Sequence, residues 1–129
     1  EKMSLCYYCS ASLVNHKGLI VVQSGVETEN ALKALDAIRN ELNEVRKGNF
    51  TDEIIENAKK SITDTLSSVD DSIMTIDHWM TSQSTNGLFR TPESFIEEIN
   101  AVSREEIIIA ATMVTEDTVF ILESEKEEE

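Results

Sequence analysis

Glycine and proline are scarce in this chain of 129 residues, with four of the first and one of the second. That shortage argues against a loop-rich or low-complexity architecture and favours long regular elements. Cysteine occurs only twice, which is too few for a disulfide framework and makes an intracellular compartment the default expectation. No run of about 18 apolar residues occurs, so no segment reads as a membrane-spanning helix. No secretory signal pattern is visible, although the chain opens on Glu1 rather than methionine and so reads as a fragment or a processed product. Basic residues are outnumbered by acidic ones, 11 to 25, for a formal net charge of -14. Such a field repels phosphate backbones and anionic lipid, which argues against nucleic acid and membrane as partners and leaves basic peptides open.

The hydrophobic pattern divides the chain cleanly. From Leu5 to Val14 it has period two: Tyr7, Cys9, Ala11 and Leu13 share one face, and Cys6, Tyr8, Ser10 and Ser12 the other. Asn15-His16-Lys17-Gly18 is a turn, and the β-branched run Leu19 to Val26 reads as a central strand covered on at least one face. Together they predict an antiparallel hairpin. Thr28 is placed to cap a helix reaching Lys47, with Ala31, Leu35, Ile38, Leu42 and Val45 as its buried stripe and Gly48 as its stop. Thr51 caps the next, with Phe50 and Ile55 spaced for a hydrophobic staple. Its stripe runs Ile55, Ala58, Ile62, Leu66, Val69, Ile73, Ile76 and Met80, with a break expected at Ser67 to Ser72, where short polar side chains compete for the backbone. Thr91-Pro92 opens a short helix, and Ser103 with Glu106 forms a capping box for the last, which is expected to end near Met113.

Thr118 to Glu123 reads as a third strand, returning to the hairpin after a long helical stretch. The expected fold class is therefore α/β, an α+β two-layer sandwich over 1–123 with helices covering one face of a small sheet; 124–129 is an acidic flexible tail. Three strands are few, and both sides of Leu19 to Val26 are apolar. Further strands from preceding chain or from a second copy are expected to complete the sheet, which makes a dimer an expectation.

Residues with chemical potential do not converge. Cys6 and Cys9 are three apart in a strand and point to opposite faces, a poor geometry for a disulfide or for chelating one ion. Two buried strand cysteines is the reading the spacing favours. A zinc site would need two further ligands, and only His16, in the turn, and His78, on a helix, remain. There is no His-Glu-x-x-His or His-x-x-Glu-His motif and no glycine-rich phosphate loop. Asp70-Asp71, Glu97-Glu98 and Glu105-Glu106 are surface carboxylates without a sign of a shifted pKa. No catalytic, cofactor-binding or metal residue is therefore assigned. Tyr7 and Tyr8 point to opposite faces, so one is expected to pack in the core and the other to present its hydroxyl outward.

The strand hairpin, the long helix, the Phe50-Thr51 helix start, Ala58-Lys59-Lys60, Thr91-Pro92-Glu93 and Val102-Ser103-Arg104-Glu105-Glu106 follow one another in an order that resembles the C-terminal domain of metallopeptidase family M16. This is the group of pitrilysin, insulin-degrading enzyme and the mitochondrial processing peptidase. The segments Glu1 to Ser10 and Lys17 to Gly25 are most similar to short members from Gram-positive bacteria. The resemblance implies a partial M16/LuxS-like domain in a protein whose two halves close over a peptide. Zinc would sit in the parent protein or a partner, on an inverted His-x-x-Glu-His helix outside this chain. It further implies that Tyr7 contacts the substrate or the oxyanion, whereas the arginine that accompanies this tyrosine in the family would fall just before Glu1. The leading expectation is a non-catalytic, substrate-cradling module of a zinc-dependent peptidase, bacterial and cytoplasmic. It would partner the upstream domains or a homologous subunit, and a peptide. The alternative is a structural or interaction domain of a degenerate, zinc-free homologue that pairs with an active subunit. By itself the chain is expected to be inactive, while the parent could be a zinc metallopeptidase.

Overall fold

The computed structural model describes residues 6–122. Two antiparallel strands, β1 (Tyr8–Val14) and β2 (Leu19–Gly25), precede five α-helices: α1 (Ala31–Arg46), α2 (Asp52–Ser67), α3 (Ile73–Thr85), α4 (Pro92–Ala101) and α5 (Arg104–Met113). In the hairpin Tyr8 pairs with Gly25 and Val14 with Leu19, without a bulge. Gly18 closes the turn at φ 61°, in the left-handed region that glycine occupies without a Cβ clash. The expected hairpin is therefore present, although its regular ladder begins at Tyr8 rather than Leu5.

Helix boundaries follow the capping chemistry closely. Thr51, Ser72, Thr91 and Ser103 each accept a backbone N–H from the first turn of their helix. Ser103 and Glu106 complete a reciprocal capping box. The expected break between α2 and α3 is real: a short 3-10 turn spans Val69–Asp71, and Ser72 restarts the chain as a new N-cap. At the other end of α1, Asn49 N–H reaches the Glu44 carbonyl at 2.9 Å and Gly48 N–H the Val45 carbonyl at 3.0 Å. That paired Schellman pattern needs the φ of 75° at Gly48. The same pattern recurs at the end of α3, where Leu88 bonds Gln83 and Gly87 bonds Ser84. One cap differs from expectation. Thr28 starts a 3-10 turn, Thr28–Asn30, and α1 proper begins only at Ala31 with Asn30 before it.

The helices pack on one another, α2 against α4 and α1 against α5. Five carbonyls at or just past the ends of α1, α4 and α5 are met by long basic side chains from neighbouring elements. Arg46, in the last turn of α1, donates from Nε to the Ala111 carbonyl at 3.1 Å and from Nη2 to the Val114 carbonyl at 2.6 Å, closing the end of α5. Lys59 Nζ donates to the Asn100 carbonyl at 2.9 Å, at the end of α4. Arg104, at the start of α5, donates to the Gly48 and Phe50 carbonyls at 3.2 and 2.9 Å. It also pairs with Asp52 and stacks 4.5 Å above the Phe50 ring. Arg39 grips Glu116 with two parallel bonds of 2.8 and 2.7 Å, fixing the chain that leaves α5 against α1.

Two expectations are overturned. Among the described residues Thr118 to Leu122 pairs with no strand, so the expected third strand is not seen there; Glu123 and the acidic tail 124–129 lie outside the described residues. The helices also do not cover the sheet. Both faces of the hairpin are open, and every side chain from Tyr8 to Leu13 and from Leu19 to Gln23 is exposed. The helices pair with one another instead, α2 with α4 and α1 with α5, and leave the ribbon uncovered. The buried stripe fares partly. Ile55 and Leu66 are buried, with Ala34 and Ala111, while Ile62, Ile73, Ile76 and Met80 are exposed.

Replacing Arg46 by methionine keeps the apolar stem and removes the donors. It is expected to lower unfolding stability by about 1–3 kcal/mol in urea, because two part-buried carbonyls lose their partners; an effect within about 0.5 kcal/mol would show the clamp contributes nothing. The capping box carries a pH signature. The Ser103 backbone N–H, then its hydroxyl, hold the Glu106 carboxyl below its ordinary 4.5, and the Arg39 guanidinium does the same for Glu116. Both contributions are complete above that ordinary value and are lost as pH falls through the lower folded-state values. Ser103→Ala is expected to cost about 1 kcal/mol near neutrality and less below pH 4.5.

Candidate functional site

The base of the hairpin carries the one sequence-assigned site residue. Tyr7 precedes β1, and its backbone N–H donates to the Gly25 carbonyl at 2.7 Å. That bond extends the ladder by one step and fixes where the side chain leaves the backbone. The ring is 76% exposed, and its hydroxyl donates to Glu27 Oε1. This contact, with the negative charge of Glu27, holds the Tyr7 hydroxyl above its ordinary value of 10.0. The hydrogen bond is therefore complete below that value and is lost as pH rises through the raised folded-state one.

Tyr8 lies on the opposite face, its ring directly above Gly25, where an added Cβ would fall 2.8 Å from Cδ1. Gly25 is thus required by the aromatic ring across the ladder rather than by its own dihedral angles. Neither tyrosine is in a core, contrary to the expectation that one would be: Tyr8 is exposed like Tyr7. Cys6 and Cys9 are free thiols and both exposed, which corrects the expected buried pair. The uncovered sheet leaves them nothing to pack under. His16 and His78 are both exposed, the first in the hairpin turn and the second on α3. Among the described residues, no three His, Cys, Asp or Glu side chains come together as a group that could hold a metal ion. No described helix is long and apolar enough to cross a membrane.

On the face shared by Cys9, Ala11 and Leu13 the ladder places Ser24, Val22 and Ile20 directly opposite. The result is an apolar surface with Leu13 63% and Ile20 51% exposed. A cleft of about 630 Å³ lies elsewhere, between α3 and the turn into α4, lined by Met80, Gln83, Phe89 and Arg90 among others. Its floor is rigid. Gln83 is buried and accepts the Arg90 N–H at 3.3 Å, Arg90 pairs with Glu98 and lies 4.3 Å above the Phe95 ring, and Trp79 packs tilted against that ring. None of the residues weighed for chemistry in the sequence lines it; Met80 and Thr91, which do, read there only as a stripe residue and a helix start. The partner of Tyr7 was also missed: strand alternation ends at Gly25, so the pattern has no rule for where Glu27 points.

The sheet hairpin followed by a layer of capped helices defines an α/β domain. Comparison with known proteins gives it relatives. The family model described as the peptidase M16 inactive domain matches residues 1–62, which takes in the hairpin, α1 and most of α2. A Bacillus subtilis (strain 168) protein named "Probable inactive metalloprotease YmfF" is 28% identical over 122 residues, covering 95% of this chain and 29% of its own length. A crystal structure of a conserved protein from Enterococcus faecalis V583 superimposes with a TM-score of 0.74 at 28% identity, covering 84% of this chain and 26% of that one. Over residues 1–62 the chain is similar to the M16 peptidase inactive domain, and over nearly its whole length to the Bacillus protein. It spans less than a third of the length of either relative.

The openness of the hairpin has a measurable consequence. Ile20→Thr on the apolar face is expected to change the unfolding free energy of this chain by less than about 0.5 kcal/mol, as for any exposed position, while reducing binding of a hydrophobic dye. A loss of about 1.5 kcal/mol or more would mean the face is buried.

Proposed function

We propose that this chain is a structural and interaction domain of a degenerate, zinc-free M16 homologue, docking through its hairpin onto other domains of that protein or onto a homologous subunit. The observation that carries the docking role is the uncovered apolar face of β1 and β2, centred on Leu13, Ile20 and Val22. A hairpin with both faces open is marginal by itself in water, and gains stability when further strands or a packed layer cover it. The two edges offer unpaired backbone groups in the form that strand addition uses.

Degeneracy is supported by kinship: the Bacillus relative is named a probable inactive metalloprotease, and the matching family model is that of the inactive domain. These findings favour this reading over the substrate-cradling module of an active zinc peptidase. The cradling reading leans on Tyr7 alone. Its chemistry would use the tyrosine hydroxyl as a donor to the oxyanion that forms at a scissile carbonyl, with zinc and its activated water supplied from outside this chain.

The two readings part on the full-length gene product. Purified without chelators, it is expected to hold well under one zinc per chain by elemental analysis and to leave a fluorescent unstructured peptide intact. Cleavage that a chelator abolishes and added zinc restores would reinstate the cradling reading.

A further inference from the structure

We propose that Glu27 is a latch on Tyr7: its carboxylate takes the tyrosine hydroxyl proton as a hydrogen bond and thereby removes that hydroxyl from contact with a peptide carbonyl. The inference deepens the zinc-free reading above and rests on it only for its functional meaning.

The geometry is anchored at both ends. Tyr7 is fixed through its backbone N–H on Gly25, and Glu27 is fixed through its own carbonyl, which accepts the Asn30 N–H at 2.8 Å where the 3-10 turn before α1 begins. Glu27 has extended backbone angles, φ -61° and ψ 143°, at the point where the chain turns from the hairpin toward the helix. Two residues twenty apart in sequence thus meet across the base of the hairpin. The chemistry follows from the inventory of a phenol. Its hydroxyl has one proton to donate, and its oxygen can otherwise only accept. An oxyanion or peptide carbonyl needs a donor. While the proton lies on a carboxylate, the bond is charge-assisted and stronger than one to a neutral carbonyl. A peptide would have to displace Glu27 to recruit Tyr7, and it would bring its own oxygen up against the negative charge of that carboxylate. Glu27 is in this sense a positioning residue, acting through Tyr7.

The chain contains only two tyrosines, so Tyr8→Phe leaves Tyr7 as the sole phenol. In that background, the ionisation of Tyr7 is followed by tyrosinate absorbance, and its nitration by tetranitromethane is timed at fixed mildly alkaline pH. The latch predicts that Glu27→Gln lowers the ionisation midpoint. It also predicts faster nitration, by about tenfold for each pH unit of that movement, because the phenolate reacts. Glu29→Gln removes an equal charge two residues away and is expected to change neither. Unchanged behaviour in Glu27→Gln, or an equal response in Glu29→Gln, would overturn the latch. Glu27→Asp, which shortens the side chain but keeps the charge, guards against misfolding as the cause: it should also lower the midpoint, with an unchanged far-ultraviolet spectrum. These outcomes are separable from the zinc assay. Peptide cleavage by the full-length protein would defeat the zinc-free reading with the latch intact, and an unlatched Tyr7 without cleavage would defeat the latch alone.

Discussion

Long basic side chains reaching across to the bare carbonyls of a neighbouring helix hold this structure together. Each α-helix ends with four carbonyls that its own backbone cannot satisfy. Here Arg46 serves the end of α5, Lys59 the end of α4, and Arg104 the junction after α1. Every one of these bonds joins segments more than forty residues apart in sequence. The chain has only 11 basic residues to set against 25 acidic ones, and it uses several of them in this way. A helical layer fastened by its own termini does not require a sheet beneath it, and that is how a domain with so few buried apolar side chains keeps its helices in register.

The same economy explains the hairpin. Its ladder is complete from Tyr8 to Val14, yet no helix takes up its apolar face. The residues that would ordinarily form the inside of a two-layer sandwich are instead its outer surface. On the proposed reading, that surface is where the rest of a longer protein, or a sister subunit, completes the fold; the relatives are more than three times as long as this chain. On this account the acidic surface serves solubility, and the apolar ribbon is the charge-poor patch through which a partner can approach.

Much of this was legible in the sequence, and the failures share one cause. Caps are local chemistry, so Thr51, Pro92, the Ser103–Glu106 box, the Gly48 stop and the break before Ser72 could all be read directly. Burial is a tertiary quantity. Period two placed Tyr7, Cys9, Ala11 and Leu13 on one face but could not say whether anything would lie against it, and the stripe through Ile73 and Met80 failed for the same reason. The strand expected at Thr118 to Leu122 has suitable residues and no neighbouring strand among the described residues. Of the candidate site, Tyr7 was marked by its place in a resemblance, whereas Glu27 lies just past the end of the ladder, where alternation no longer predicts direction. The cross-chain clamps were invisible too, since an arginine in a last turn reads equally well as a partner for its own helix dipole.

The central claim is that the helices form a self-supporting layer while the hairpin waits for a covering surface. Amide hydrogen exchange resolved along the chain tests it most directly. In this chain, the amides of α1, α2 and α5 should be protected well beyond those of β1 and β2, and in the full-length protein the hairpin amides should rise to match the helices. Hairpin amides already as protected as the helices in the chain alone would contradict the account.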